Sequence, residues 1–262
     1  MSFNLKGQTY LVMGVANNWS IAWGIAQSLD KFGATLIFSS TGERSIAQVE
    51  KLRGQLGEQN QEALIFDTDV SQDQPIIDLF AAIKERNITL SGVAHCIAFS
   101  NKENLKGDYY EVGRADYLLA QDISSYSLTA VVREAEKSGV LAAHASFITL
   151  SYLGGERAVE NYNVMGVAKA ALEASVKYLA GDIGKLGHRI NTISAGPIRT
   201  VSGRAVGGFS KITEMMEERA PLHTATNIAE VGDTAVYLLS EMSRGVTGET
   251  IHVDGGFHSV GF

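Results

Sequence analysis

The chain has 262 residues, of which 45% are apolar, enough to fill the core of one large α/β domain, while 19% charged residues and 3 prolines exclude a Pro-rich linker architecture or a solvated low-complexity chain. A formal charge of -7 opposes a general nucleic-acid or anionic-membrane surface. The single cysteine, Cys96, cannot close an intramolecular disulfide, and its neighbours in His95-Cys96-Ile97-Ala98-Phe99 favour an inert buried thiol in a reducing compartment.

Residues 1–7 carry no charged leader ahead of an apolar stretch, and no run reaches the apolar length needed to span a bilayer, so a soluble cytoplasmic chain is expected. In chain order, apolar runs predict strands near 9–13, 35–38, 63–66, 92–97, 146–150, 189–193 and 250–253. Helical patterns fall between them, over 21–31, 45–56, 74–85, 114–136, 162–184 and 228–240. Alternation of this kind is the signature of βαβ units, and the nearly continuous Val, Ile, Leu and Phe of the strands fits burial on both faces. The fold expected over 1–262 is therefore a single doubly wound, Rossmann-type α/β domain with a parallel sheet of about seven strands.

The first strand runs into Gly14-Val15-Ala16-Asn17-Asn18-Trp19-Ser20-Ile21 before the first helix, where flexible backbone and a helix N-terminus suit a pyrophosphate. An ordinary glycine turn with Ser20 as helix cap reads the same residues. The second strand ends Ser39-Ser40-Thr41-Gly42-Glu43-Arg44: Ser40 and Thr41 suit ribose hydroxyls, whereas Arg44 suits a 2′-phosphate that Glu43 opposes. NADH is slightly favoured on this ground, and NADPH stays open. After the third strand, Asp69 suits an adenine amino group or, equally, a helix cap.

The most informative pattern is Tyr162-Asn163-Val164-Met165-Gly166-Val167-Ala168-Lys169 at the start of a long helix. Seven residues turn a helix by about 700°, within about 20° of two turns, so both side chains share one face. A tyrosine beside a lysine donates to an oxyanion, and the ammonium both supports that role and binds sugar hydroxyls. Between 194 and 228 the rhythm breaks in a connection leaving a strand's carboxyl end, where lids and ligands are found. A substrate-binding lid is expected near 200–216, with Gly203, Gly207 and Gly208 easing movement and Val201, Val206, Phe209 and Ile212 offering apolar cover. The six histidines show no paired metal-ligand spacing, so no metal is expected.

Together these residues resemble the short-chain dehydrogenase/reductase superfamily and, within it, the divergent bacterial enoyl-acyl carrier protein reductases. The resemblance is carried by Gly14 with Ser20-Ile21-Ala22, Asp69-Val70, Asp122 through Ser127, Ser151-Tyr152-Leu153-Gly154, Tyr162 through Lys169, Ser194 through Thr200 and His252 through Phe257. Ordinary superfamily members use Tyr-x-x-x-Lys; here the spacer is six residues, and no tyrosine has a lysine four positions later. Three added residues move tyrosine relative to lysine by about 4.5 Å. That suits an enoyl thioester, whose charge develops on an oxygen remote from the carbon receiving hydride.

The resemblance implies NAD(P)H-dependent reduction of trans-2-enoyl thioesters carried on acyl carrier protein, in bacterial fatty-acid elongation, by a homotetramer. It assigns Tyr162 to the thioester oxygen, Lys169 to the nicotinamide ribose and developing charge, and Tyr152 to the acyl pocket. Gly14, Ser20, Ile21, Thr41, Asp69, Val70, Ile97, Ile198, Arg199, Thr200, Val201 and Ser202 become cofactor positions, and Ser100 a substrate contact. The alternatives are a reductase of ketones or ketoacyl thioesters, disfavoured by the missing Tyr-x-x-x-Lys, and a non-catalytic dinucleotide sensor, disfavoured by the retained Tyr162 and Lys169.

Overall fold

The computed structural model describes residues 3–198, 200 and 209–260. The seven strands are β1 (Thr9–Met13), β2 (Thr35–Ser40), β3 (Ile65–Asp67), β4 (Leu90–His95), β5 (Leu141–Ser151), β6 (Arg189–Ala195) and β7 (Thr250–Val253). They form one sheet in the order β3-β2-β1-β4-β5-β6-β7, parallel at every pairing. Helices α1 (Ile21–Lys31), α2 (Glu43–Arg53), α3 (Asp73–Glu85), α4 (Arg114–Gln121), α5 (Ser127–Ser138), α6 (Asn163–Gly184), α7 (Phe209–Arg219) and α8 (Ile228–Leu239) follow in chain order.

Strand β1 shows why the sheet is covered twice. Its Tyr10 and Val12 point into a core shared with Trp23 and Ile25 of α1 and Val231 and Val236 of α8. Leu11 and Met13 point the other way, among Ile76 and Phe80 of α3, Val131 of α5 and Leu172 of α6. With alternate side chains buried on opposite faces, a strand has no polar positions to show, hence the continuous apolar runs. The strand order reverses direction at β1, so the crevice between the carboxyl ends of β1 and β4 is the topological switch point at which ligands of such sheets bind.

Two departures from the sequence reading have local causes. Residues 114–136, read as one helix, are α4 and α5 separated by a π turn at Asp122–Tyr126. There the Ser127 hydroxyl donates to the Ile123 carbonyl at 2.7 Å, and Ser124 turns inward to bond the loop after β4. Strand β5 begins at Leu141, earlier than its apolar run, because Ala143 and His144 lie exposed and His144 takes φ 61° beside a break in the β4–β5 register. No described helix is long and apolar enough to cross a membrane.

Candidate active site

At the switch point, Gly14 has φ +88°, and a Cβ there would lie inside van der Waals contact of the Cys96 carbonyl. Only glycine lets the first βα turn press this closely on the end of β4. Ser20 precedes α1 but does not cap it: its hydroxyl donates to the Asn17 carbonyl at 2.6 Å. With neither a side-chain cap nor an acidic residue in its first turn, α1 keeps the positive end of its dipole uncompensated. A cradle that excludes Cβ and an uncapped N-terminus are what a dinucleotide pyrophosphate requires, so these residues fit that group.

The crevice is open on the side of β2 and β3. A groove of about 580 Å³ is lined by Thr41, Gly42, Phe66, Asp67, Asp69 and Leu79 among others. Neither Tyr162 nor Lys169 lines it. Asp69 is not a helix cap, since Gln72 precedes α3; its carboxylate accepts the Ser71 amide at 3.0 Å and hydroxyl at 2.7 Å, which lowers its pKa. Val70 is buried in the core beneath. Asp67, which the sequence reading passed over, accepts the Gly42 amide at 3.0 Å, setting a carboxylate at the start of α2.

The loop leaving β4 carries Ile97 and Ser100. It is pinned by buried Ser124, whose hydroxyl accepts the Phe99 amide at 2.9 Å and donates to the Phe99 carbonyl at 3.0 Å. His95, at the end of β4, is buried against Ser127 and Thr149; burial first, then the neighbouring Lys169, lower its pKa to about 3, leaving a neutral structural imidazole.

The deepest part of the site joins β5 to α6. Lys169 is 6% exposed and its ammonium donates to the Leu150 carbonyl at 2.7 Å. Burial lowers its pKa to about 8, opposed by the neighbouring Cys96 and Glu173. Tyr162 stands just before α6, and its carbonyl accepts the Gly166 amide at 2.9 Å, so it begins the helical ladder although the helix proper starts at Asn163. Its ring packs beside Leu105, Ala120, Met165 and Ala168 and meets Tyr152 edge-on, ring centres 5.0 Å apart. Burial raises the Tyr162 phenol far above its ordinary range, reinforced by Tyr152 and Glu173, and raises Tyr152 to about 12. Both are neutral donors at physiological pH.

The turn Leu153–Gly155 sits on these rings. A Cβ on Gly154 would lie 2.7 Å from Tyr162 Cε1, so the turn can touch the ring only without one. Ile198 is buried after β6, and the Thr200 amide donates to its carbonyl at 2.6 Å. Arg199 lies outside the described residues, as do residues 201–208 of the expected lid, Val201 and Ser202 among them. The end of that lid is α7, where Thr213 and Met216 are buried. Among the described residues no cluster suits a metal ion.

A parallel doubly wound sheet, a cofactor cradle at its switch point and a tyrosine–lysine pair on the helix after β5 define a dinucleotide-dependent reductase of the short-chain dehydrogenase/reductase class. The model of the enoyl-(acyl carrier protein) reductases matches residues 14–258, and the chain belongs to that family. A Bacillus cereus NADH enoyl-acyl carrier protein reductase is 56% identical over 98% of this chain and 99% of its own. A Staphylococcus aureus relative, described as NADPH-dependent, is 52% identical over 98% of this chain and 99% of its own. The crystal structure of the Bacillus cereus enzyme with NADP+ and indole naphthyridinone superposes with TM-score 0.96 at 55% identity, covering 100% of both chains.

Proposed function

We propose that the protein is an NAD(P)H-dependent enoyl-acyl carrier protein reductase, saturating trans-2-enoyl thioesters in bacterial fatty-acid synthesis. The observation that carries this reading is the neutral, half-buried Tyr162 two helical turns from a buried Lys169, in a chain 56% identical to an enzyme of that activity. When bound, the reduced nicotinamide supplies hydride to the β-carbon. Tyr162 donates a hydrogen bond to the thioester oxygen as charge develops there, an interaction stronger in the transition state than in the substrate. The Lys169 ammonium, fixed by Leu150, binds ribose hydroxyls and stabilises the same charge. Tyr152 walls the acyl pocket against Tyr162.

Gly14, Ser20 and Ile21 are read as the pyrophosphate cradle, with Thr41 and Asp69 toward the adenosine, Val70, Ile97 and Ile198–Ser202 as the remaining cofactor wall, and Ser100 toward the substrate. NADH is favoured: Asp67 holds a carboxylate on the Gly42 amide in the turn where a 2′-phosphate needs donors, and Glu43 adds a second charge. Residues 200–216 are read as a lid ordered over cofactor and acyl chain, with Arg204 and Lys211 at the rim toward an acidic carrier protein. Cytoplasmic location and a homotetramer complete the reading; a monomeric mass in dilute light scattering would remove the last.

Steady-state turnover of crotonyl thioester with NADH tests the whole. Saturable NADH oxidation yielding butyryl thioester is expected, and dinucleotide binding without turnover would favour a sensor instead.

A further inference from the structure

Glu173 lies four residues after Lys169 on α6, which sets both side chains on one face. It is 9% exposed and takes no part in the chemistry described above. Its Oε1 accepts a hydrogen bond from the hydroxyl of Ser151, itself buried. Ser151 stands between Leu150, whose carbonyl holds the Lys169 ammonium at 2.7 Å, and Tyr152, whose ring meets Tyr162. The turn that follows is pressed on the same carboxyl group: a Cβ on Gly155 would lie 2.6 Å from Glu173 Oε1 and 3.2 Å from the Lys169 carbonyl carbon. Gly154, next to it, touches the Tyr162 ring. At the outer side His252 Nε2 lies 2.6 Å from Glu156, the residue ending this turn.

We infer that Glu173 is a positioning residue, which staples the carboxyl end of β5 and its Leu153–Gly155 turn to α6 so that Tyr152, Tyr162 and Lys169 keep one fixed relative geometry. The β5 end carries Tyr152 and α6 carries Lys169, with Tyr162 at its start; the glycine turn packs on the helix backbone, and the side-chain hydrogen bond adds a directional link between the two sets. A hydrogen bond from Ser151 into a buried carboxyl group supplies that link. Burial raises the pKa of Glu173, opposed by the Ser151 hydrogen bond, raised further by Glu156, and lowered by His252 and Lys169. The staple itself needs only an acceptor at Oε1. A neutral amide therefore serves as well as the acid.

The inference rests on the proposed tyrosine–lysine chemistry, and the test separates the two. In the full chain, Glu173→Ala should lower kcat for crotonyl thioester roughly 10- to 100-fold, the loss expected from about 1 Å of misplacement. The NADH Kd should change by a smaller factor than kcat, because the Gly14 cradle is unaltered and only the Lys169 contact to the ribose is loosened. Glu173→Gln should stay within about threefold of the wild-type kcat, and Ser151→Ala should reproduce much of the Glu173→Ala loss, with no additional loss in the double variant. Should Glu173→Ala not fold, Ser151→Ala against the wild type carries the test alone. Loss in Glu173→Gln equal to that in Glu173→Ala would overturn the staple in favour of a charge or proton role. A kcat unchanged in Glu173→Ala or Ser151→Ala, with only the melting temperature lowered, would overturn it as well. A wild-type protein without turnover would instead sink the proposed function.

Discussion

The two ends of the crevice are built on opposite principles. Around Tyr162 the groups are packed and locked: buried Lys169 on a carbonyl, Tyr152 edge-on to Tyr162, and a glycine turn pressed on both. Around Thr41 and Asp67 the groove is open, with carboxylates set among apolar side chains, and Asp67 holds the Gly42 amide. Desolvation keeps the tyrosine protonated at the first end, which under the proposed function leaves a donor aimed before any substrate arrives. Exposure makes the second end adjustable, since screened charges shift preference by small amounts without disturbing the fold.

If that division is correct, the largest effects belong to the buried end. Lys169→Ala should weaken cofactor affinity and lower turnover together, because one ammonium serves both, and a titration of NADH binding alongside steady-state kinetics reads the two losses separately. Tyr162→Phe should lower kcat about 10²–10³-fold, the usual cost of one oxyanion donor, while leaving NADH affinity near wild type. Unchanged kinetics in both variants would remove this end from the account.

Next in size is Gly154→Ala. The new methyl group must displace the Tyr162 ring, at a cost of about 1–3 kcal/mol from overpacking, with a parallel fall in kcat. Urea denaturation and kinetics on the same preparation check both; a stable, fully active variant would show that the turn is not packed on the ring as described.

Titration of Lys169 sharpens the comparison further. Burial lowers its pKa from 10.5 to about 8. Below pH 8 the folded and unfolded chains are both protonated and the buried ammonium destabilises the fold fully; between 8 and 10.5 the folded protein has released its proton while the unfolded chain retains it, so this penalty is relieved as pH rises. This group's contribution to apo stability should therefore improve across that window while kcat/KM for the cofactor declines with loss of the ammonium. Denaturation curves and kinetics from pH 7 to 10, compared with Lys169→Met, measure it; identical profiles in the two proteins would refute the assignment.

The smallest effect belongs to the open end. Asp67→Asn should raise kcat/KM for NADPH by about 1.5- to 5-fold, in line with removal of one exposed charge, and leave NADH nearly untouched. A change in neither cofactor would exclude Asp67 from selectivity.

The same contrast explains what the sequence disclosed. β1, α1 and β7 lie where apolar periodicity put them, because residues such as Val12 and Met13 face covered surfaces and leave a continuous signal. Tyr162 and Lys169 were legible because their spacing alone sets them on one face of a helix. Glu173 obeys the same spacing relative to Lys169, yet a helical carboxylate reads as a solvated face until the fold brings Ser151 to it. The π turn was invisible because it depends on Ser124 meeting Phe99 across 25 residues of sequence. Asp67 was passed over because its partner, the Gly42 amide, belongs to the neighbouring strand's turn. Tertiary pairs of this kind leave no local pattern to read.

The central claim is that the long spacer aims Tyr162 at a thioester oxygen, so that reduction occurs at a carbon–carbon double bond and not at a carbonyl. The direct measurement is product analysis after turnover with nicotinamide-deuterated NADH, offering crotonyl and acetoacetyl thioesters in competition. Butyryl thioester bearing deuterium at its β-carbon, with acetoacetyl thioester recovered unchanged, is the predicted result. Deuterated 3-hydroxybutyryl thioester as the main product would contradict it.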